Sequence, residues 1–424
     1  MSGVPDGAAL AAARIVDAVA DAAERWTDAD LPARVRATRA IVQRTGYTEP
    51  VVDFALDALF GGLTRDALRA TITGELGSLA ALDGFVARAG RPDVHFRGVE
   101  RVAIVSSDTT VGVAIPALVY ALCAKADTVV VKDRNDGLVA AFAETIAEER
   151  PELGARTRIE RWEGHDAPQA RAALQTSDVV VAFGGATALR AIRDLLHPEA
   201  RFVPFGHRTS VAYVTREALD RAARDSAYAR EIAFGIARDA LLYDGEGCLS
   251  LHAVFVERDG ALDPVRFDGL LGDALEAVAV EFPASSAEPA APGAAFAREA
   301  RFRAAQGRGS VRGGLTAPHL LVAGAPLDDP PPLLPRTLAS YTVDGPADVA
   351  NYLRAHAVPV EAFAVASVDG TIERPDVLAL ALACGAVRLC AAGAAQLPSL
   401  SGEHGGTPRI LPFVRAIVRD RDSR

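Results

Sequence analysis

The sequence predicts an α/β protein with two doubly wound units in tandem behind an N-terminal helical region. Three observations predict it. From about residue 101 onward, short apolar runs of strand length alternate with helical patterns. Several of these runs end in glycine-bearing or polar turns that open a helix. The chain has 424 residues, too many for one ordinary domain and enough to bury a sizeable core.

Residues 7–93 read as helices. Apolar residues recur three and four apart at Ala12, Ile15, Val16 and Val19, and again at Val51, Phe54, Ala55, Ala58 and Leu59. Gly61-Gly62 stops the second pattern. This stretch carries no evident chemistry. Strands are expected at 101–105, 128–132 and 177–183, with helices at 115–125, 138–149 and 188–196 between and after them. That alternation predicts a parallel sheet with ligands beyond the carboxyl ends of its strands. A strand at 210–214, a helix at 226–240, a strand at 253–256 and a helix at 268–278 follow. Residues 283–315 are rich in Ala, Pro and Gly and read as a surface excursion. Strands at 319–323 and 338–343, helices at 346–355 and 377–384, and a strand at 387–390 complete the second unit. A coil at 391–406 and a last helix at 410–418 end the chain.

Composition narrows the function. Hydrophobic residues make up 50% and charged residues 24%, which is globular. The 45 Lys and Arg are outnumbered by 55 Asp and Glu, and no basic stripe interleaves with aromatics. Nucleic acid is therefore an unexpected partner. The four cysteines, Cys123, Cys248, Cys384 and Cys390, form no C-x-x-C pair. That argues against a disulfide framework or a structural metal site and for a reducing, cytoplasmic setting. No apolar run reaches the length of a membrane span, and the first eight residues lack a secretion pattern.

The most informative stretch is Tyr243-Asp244-Gly245-Glu246-Gly247-Cys248-Leu249-Ser250. Glycines let the backbone turn sharply and approach a substrate, and a thiol on such a turn can be reached by an electrophile. A buried cysteine at a loop-to-strand junction is the structural alternative, at even odds from these residues alone. The second stretch is Phe183-Gly184-Gly185-Ala186-Thr187. It joins an apolar strand to a helix, so backbone N–H groups and a positive helix end converge as a phosphate requires. Tight corner packing explains such a turn about as often. Lys132 ends a strand of the same sheet, where it reaches a ribose oxygen or simply remains solvated.

Taken in order, these motifs resemble the aldehyde dehydrogenase superfamily, and more narrowly the LuxC-like acyl-CoA reductases. The narrower resemblance rests on residues 178–185, on 201–208, on Gly247-Cys248-Leu249-Ser250 and on residues 388–393. It covers residue 95 to the C-terminus. The resemblance implies an aldehyde dehydrogenase-like fold of two tandem Rossmann-like domains. The divisions expected are a helical region at 1–95, a dinucleotide-binding domain at 96–240 and a catalytic domain at 241–394. A segment at 395–424 is expected to return to the cofactor domain or an oligomer interface.

The resemblance also implies NADPH-dependent reduction of an acyl thioester to the aldehyde, with Cys248 as nucleophile. The cofactor is expected at Lys132, Arg134, Phe183, Gly184, Gly185, Ala186, Thr187 and Gly206. Three departures from the superfamily pattern shape that expectation. Pro204-Phe205 stands where aldehyde-oxidising relatives carry a glutamate base, which fits a reductase whose acyl-enzyme must survive. Thr109 falls near the usual oxyanion asparagine, so the hydroxyl of Thr109 or Thr110 would donate there, with the backbone N–H of Cys248 as the second donor. Arg134-Asn135 replaces an acidic residue, which favours NADPH over NADH.

His207 and His252 are the two histidines near the motifs, and each is a candidate proton shuttle or an ordinary structural residue. Glu246 either orients the loop or, the favoured role, is a solvated or hydrogen-bonded carboxylate, since an anion beside the thiol would raise its pKa. Expected partners are an acyl-CoA or acyl-carrier-protein thioester, an acyl-transferring or acyl-activating enzyme, and further copies of the chain in a homo-oligomer. Aldehyde oxidation or acyl-phosphate reduction on the same fold, or an impaired acyl-binding subunit, are the alternatives.

Overall fold

A computed structural model describes residues 10–107, 110–133, 137–162, 168–285, 291–314, 317–368, 372 and 374–420. Two compact units emerge. Met1–Arg44, Asp53–Gly206 and Ser399–Arg424 make the first, and Thr45–Val52 with His207–Pro398 make the second. The division falls before residue 207, ahead of the boundary at 240 that the sequence suggested. The strand at Thr209–Val214 explains the difference, because it pairs with strands of the second unit.

The chain opens with helices Ala12–Arg25, Pro32–Thr45, Glu49–Gly62 and Arg65–Leu76, which belong to the first unit except for residues 45 and 49–52. They bury the apolar stripe read from the sequence, including Ile15, Val16 and Val19. Two short strands follow where helix was expected: β1 (Val86–Arg88) and β2 (Arg91–Gly98). They pair antiparallel, and Gly90 supplies a positive φ of 65° at the turn. The five-stranded sheet comes next. Its strands are β3 (Arg101–Val105), β4 (Thr128–Lys132), β5 (Thr157–Glu160), β6 (Val179–Phe183) and β7 (Arg201–Phe205). The order is β5-β4-β3-β6-β7 and every pairing is parallel. This is the doubly wound arrangement, with the switch in strand order between β3 and β6. Val129, Val130, Val131, Val180 and Val181 are almost wholly buried, as a parallel sheet covered on both faces demands.

The second unit holds a seven-stranded sheet. Its strands are β8 (Thr209–Val214), β9 (Leu251–Glu257), β10 (Ser310–Gly313), β11 (Leu320–Ala323), β12 (Thr337–Val343), β13 (Val360–Ala366) and β14 (Arg388–Ala391). The order is β10-β11-β12-β9-β8-β13-β14, with β10 the antiparallel edge. Tyr213, Phe255, Tyr341 and Phe363 fill its core. Each such side chain contributes about 1.5–3 kcal/mol by leaving water. Residues 283–315 are more regular than an excursion: a helix, Ala291–Ala305, leads into β10.

The chain ends in β15 (Val414–Arg419), which pairs antiparallel with β2 in the first unit. The expected final helix is therefore a strand. Residues 399–424 belong to the first unit. Among the described residues, no helix is long and apolar enough to cross a membrane.

Candidate active site

The Cys248 loop begins with three successive residues of positive φ: Tyr243 and Asp244 at 54° and Gly245 at 73°. Only glycine adopts that region freely. A Cβ on Gly245 would also lie 2.9 Å from the Arg336 nitrogen. Arg336, 6% exposed, holds the strained turn in place. Its guanidinium pairs with Asp244 at 3.2 Å and donates to the carbonyls of Pro318, Leu241 and Phe282. The Arg336 amide donates to Asp244 O at 2.8 Å. A short turn follows, with Ser250 N donating to Gly247 O at 2.9 Å, and Cys248 lies within it.

Cys248 is exposed, whereas Cys123 and Cys390 are buried and Cys384 is half-buried. It precedes β9, so it sits at the amino edge of the parallel sheet. Surrounding protein, and next the Glu361 carboxylate, push its thiol up to about 11. The amides of Cys248 and Leu249 and the charge of Arg208 pull the other way. At rest Cys248 is a thiol.

Ser210 and Gln396 anchor the loop from beneath. Ser210 Oγ donates to Cys248 O at 2.8 Å. Gln396 Nε2 donates to Ser250 Oγ at 3.1 Å and to Asp239 O at 3.0 Å. The Asp239 carboxylate in turn accepts from the amides of Ala395 and Gln396. None of Ser210, Asp239, Glu361 or Gln396 announces itself in sequence. Glu361 and Gln396 are each one polar residue in an apolar run, and Ser210 and Asp239 each follow another polar residue, patterns with many bland explanations.

His252 is buried, and its Nδ1–H donates to Pro332 O at 3.1 Å. Burial lowers its pKa and keeps it neutral. His207 is exposed. Glu246 is exposed too, although burial of part of its side chain and the Asp244 charge raise its pKa. Thr109 and Arg134 lie outside the described residues.

In the first unit, the turn after β6 is open. Gly185 caps the helix Ala186–Arg193 without a side-chain acceptor, and Ala186 and Thr187 are exposed. These uncapped amides fit an anion such as a pyrophosphate. Gly184 N is already engaged by Phe205 O at 3.1 Å. Gly206, just after β7, is exposed. Lys132 is 8% exposed, with Nζ 5.9 Å from the centroid of the Trp162 ring.

Phe183 and Phe205 stack at 4.9 Å, and His404 stacks on Phe205 at 4.3 Å. His404 is a residue that sequence reasoning missed, because it lies in a glycine-rich coil. Burial, and next Arg409, push its imidazole down to about 4, so it is neutral. No cluster of three or more His, Cys, Asp or Glu side chains suited to a metal occurs among the described residues.

Solved structures share this architecture. An NAD-dependent benzaldehyde dehydrogenase from Corynebacterium glutamicum is 16% identical with a TM-score of 0.67, over 97% of this chain and 87% of that one. An oxidoreductase from Marinobacter aquaeolei is 13% identical with a TM-score of 0.71, over 97% and 85%. An NADP-dependent glyceraldehyde-3-phosphate dehydrogenase from Bacillus halodurans, complexed with NADP, is 14% identical with a TM-score of 0.64, over 97% and 87%. At such identities the likeness is one of fold, and the fold is that of the aldehyde dehydrogenases. No curated protein matches the sequence. A family model described as "Acyl-CoA reductase (LuxC)" matches residues 8–416, which include the Cys248 loop, the turn after β6 and the ring stack. An exposed cysteine on a strained loop and an open strand-to-helix turn thus occur together within one family's span, and the chain belongs to the acyl-CoA reductase (LuxC) family.

Proposed function

We propose that this protein reduces an acyl thioester to the aldehyde with NADPH, by way of an acyl group held on Cys248. The observation that carries the reading is Cys248 itself. It is the exposed cysteine of the four, on a loop strained into place.

In the first step Cys248 gives its proton to water and its sulfur, now a thiolate, bonds to the thioester carbonyl carbon. The carrier thiolate leaves with its electron pair and takes up a proton. The amides of Cys248 and Leu249 would donate to the oxyanion that develops on that carbon. Thiolate replaces thiolate, so this exchange is close to balanced in energy. When bound, the nicotinamide cofactor supplies hydride to the same carbonyl carbon. Cys248 then leaves as the aldehyde forms, and the thiol is restored by a proton from water.

The uncapped amides at Ala186 and Thr187 would hold the cofactor's pyrophosphate, and Lys132 its ribose. Arg134 is assigned to the phosphate that distinguishes NADPH from NADH. The end of β7 offers Pro204 and Phe205, and the Phe205 ring is engaged in the stack with Phe183 and His404. It therefore offers no carboxylate to activate water, which supports reduction over hydrolysis of the acyl-enzyme. The carrier is coenzyme A or a carrier protein.

The test is loss of NADPH absorbance with a panel of acyl-CoA esters, with aldehyde measured, beside Cys248→Ala. Aldehyde formation that disappears in the alanine variant is the expected result. An acyl adduct on Cys248 that accumulates without aldehyde, despite NADPH, overturns the reading.

A further inference from the structure

The strand register around Ser210 brings a charged pair to the nucleophile. Ser210, on β8, is fully buried. On one side its Oγ donates to Cys248 O at 2.8 Å, and on the other it accepts from Ala362 N at 3.1 Å. Both neighbouring strands slip beside it. Ser210 pairs with Leu251 but Val211 pairs with Ala253, so β9 carries an extra residue at His252. Thr209 pairs with Val360 but Val211 pairs with Phe363, so β13 carries an extra residue at Glu361-Ala362. Such bulges re-aim side chains and gather at functional sites.

Glu361 is the acidic residue at the second bulge and is 7% exposed. Arg208 Nε lies 3.1 Å from Glu361 Oε2. The same guanidinium donates to Val360 O at 2.6 Å and to Gly385 O at 2.9 Å, so it cannot swing away without losing both bonds. Arg208 precedes β8, Glu361 lies at the start of β13 and Cys248 precedes β9. These strands are parallel, so all three residues occupy the same edge of the sheet. The Glu361 carboxylate opposes ionisation of Cys248 and the Arg208 charge favours it.

Other charged groups lie near the loop among the described residues, including the buried Asp239, whose carboxylate accepts from the amides of Ala395 and Gln396. On the loop itself, Asp244 is paired with Arg336 and Glu246 is exposed. His252 on β9 is neutral and bonded to Pro332 O. Burial raises the pKa of Glu361 itself, while Arg208 and then Arg388 on β14 favour its charged form; Arg388 also holds the carbonyls of Ala394 and Ala395.

We propose that the Arg208–Glu361 pair is the charge-setting device of the nucleophile. Glu361 keeps Cys248 in its thiol form at rest, and Arg208 limits that hold. The proposal rests on Cys248 being the reacting group. Its consequence is chemical protection. The thiolate is the form that oxidises and alkylates, so an exposed cysteine kept as a thiol survives until a substrate is bound. Glu361 and Arg208 are positioning residues, because they act through Cys248.

The test is the pH profile of Cys248 alkylation by iodoacetamide in the full chain, followed on the Cys248 peptide so that Cys384 does not contribute. Glu361→Gln is expected to move the profile to lower pH and to speed alkylation about three- to tenfold at neutral pH. Glu361→Asp, which keeps the charge, is expected to stay within about twofold of the parent, since only loss of the charge moves a thiol appreciably. Arg208→Gln is expected to move the profile upward, and it decides the matter alone if Glu361→Gln does not fold. A Glu361→Gln profile that coincides with the parent or moves upward overturns the proposal. Equal acceleration in Glu361→Gln and Glu361→Asp does so too, since that marks mere loosening. Thioester reduction measured on the same samples separates the two ideas. Failure of reduction leaves the alkylation profile intact, whereas an unshifted profile with intact reduction removes only the role of the pair.

Discussion

Ser210 Oγ donates a hydrogen bond of 2.8 Å to the carbonyl oxygen of Cys248. That bond fixes the Cys248 peptide plane to a strand with no exposed surface at Ser210. It also completes a relay, because the same oxygen accepts from Ala362 N. Ser210→Ala leaves the buried Ala362 amide without its acceptor. The expected cost is about 1–3 kcal/mol in a urea unfolding titration. A misplaced nucleophile is expected to slow formation of the acyl adduct by about tenfold or more in a single-turnover assay. Ser210→Thr keeps the hydroxyl and is expected to recover much of both.

The turn before Cys248 depends on Arg336 and Asp244, whose side chains lie 3.2 Å apart and nearly out of water. Arg336→Met strands a buried carboxylate and is expected to destabilise the protein by about 3–5 kcal/mol. Asp244→Asn strands the guanidinium. The two changes together are expected to cost clearly less than the sum of the single changes, and a double-mutant cycle by thermal unfolding measures the difference.

Asp239 makes stability depend on pH. Burial pushes its carboxyl from the ordinary 3.8 up to about 6, against the amides of Ala395 and Gln396. The folded protein therefore binds this proton more tightly than the unfolded chain does. The resulting contribution is fully present below about pH 4 and is lost as pH rises through about 6. Asp239→Asn removes the ionisation. The stability of the parent relative to this variant is expected to fall by about 2–3 kcal/mol from the acid side of that window to neutral pH. Chemical denaturation at a series of pH values reads it, and a pH-independent difference contradicts it.

Gly185 leaves the helix Ala186–Arg193 uncapped. Gly185→Asp supplies a carboxylate that accepts from those amides. The helix is expected to gain about 0.5–1 kcal/mol. NADPH binding, titrated by cofactor fluorescence, is expected to weaken by about tenfold or more, because the new charge occupies and repels the phosphate site. Unchanged binding places the cofactor elsewhere.

The central strands were legible because a strand covered on both faces must be apolar throughout. β4 reads Thr-Val-Val-Val-Lys and β6 reads Val-Val-Val-Ala-Phe, and neither suits a surface. The outer three-stranded sheet was not legible in the same way. From Ile410 into β15 the apolar residues Ile410, Val414, Ile417 and Val418 recur at helical spacing, yet Ile417 and Val418 are exposed on a strand. With no buried face to impose a two-residue alternation, the pattern could not tell strand from helix.

The sequence by itself determined that Cys248 stands among glycines before an apolar strand, and that a glycine pair joins β6 to a helix. Both are local facts, fixed by which residues tolerate a turn and which must leave water. Only the tertiary structure decided what surrounds the thiol. Ser210 is 38 residues from Cys248 and 152 from Ala362, and strand pairing alone brings them into contact. The Arg208–Glu361 pair meets the loop because two bulges shift the register by one residue on either side of Ser210. A one-residue shift reverses the face a side chain occupies, and no local pattern of residues encodes where it falls.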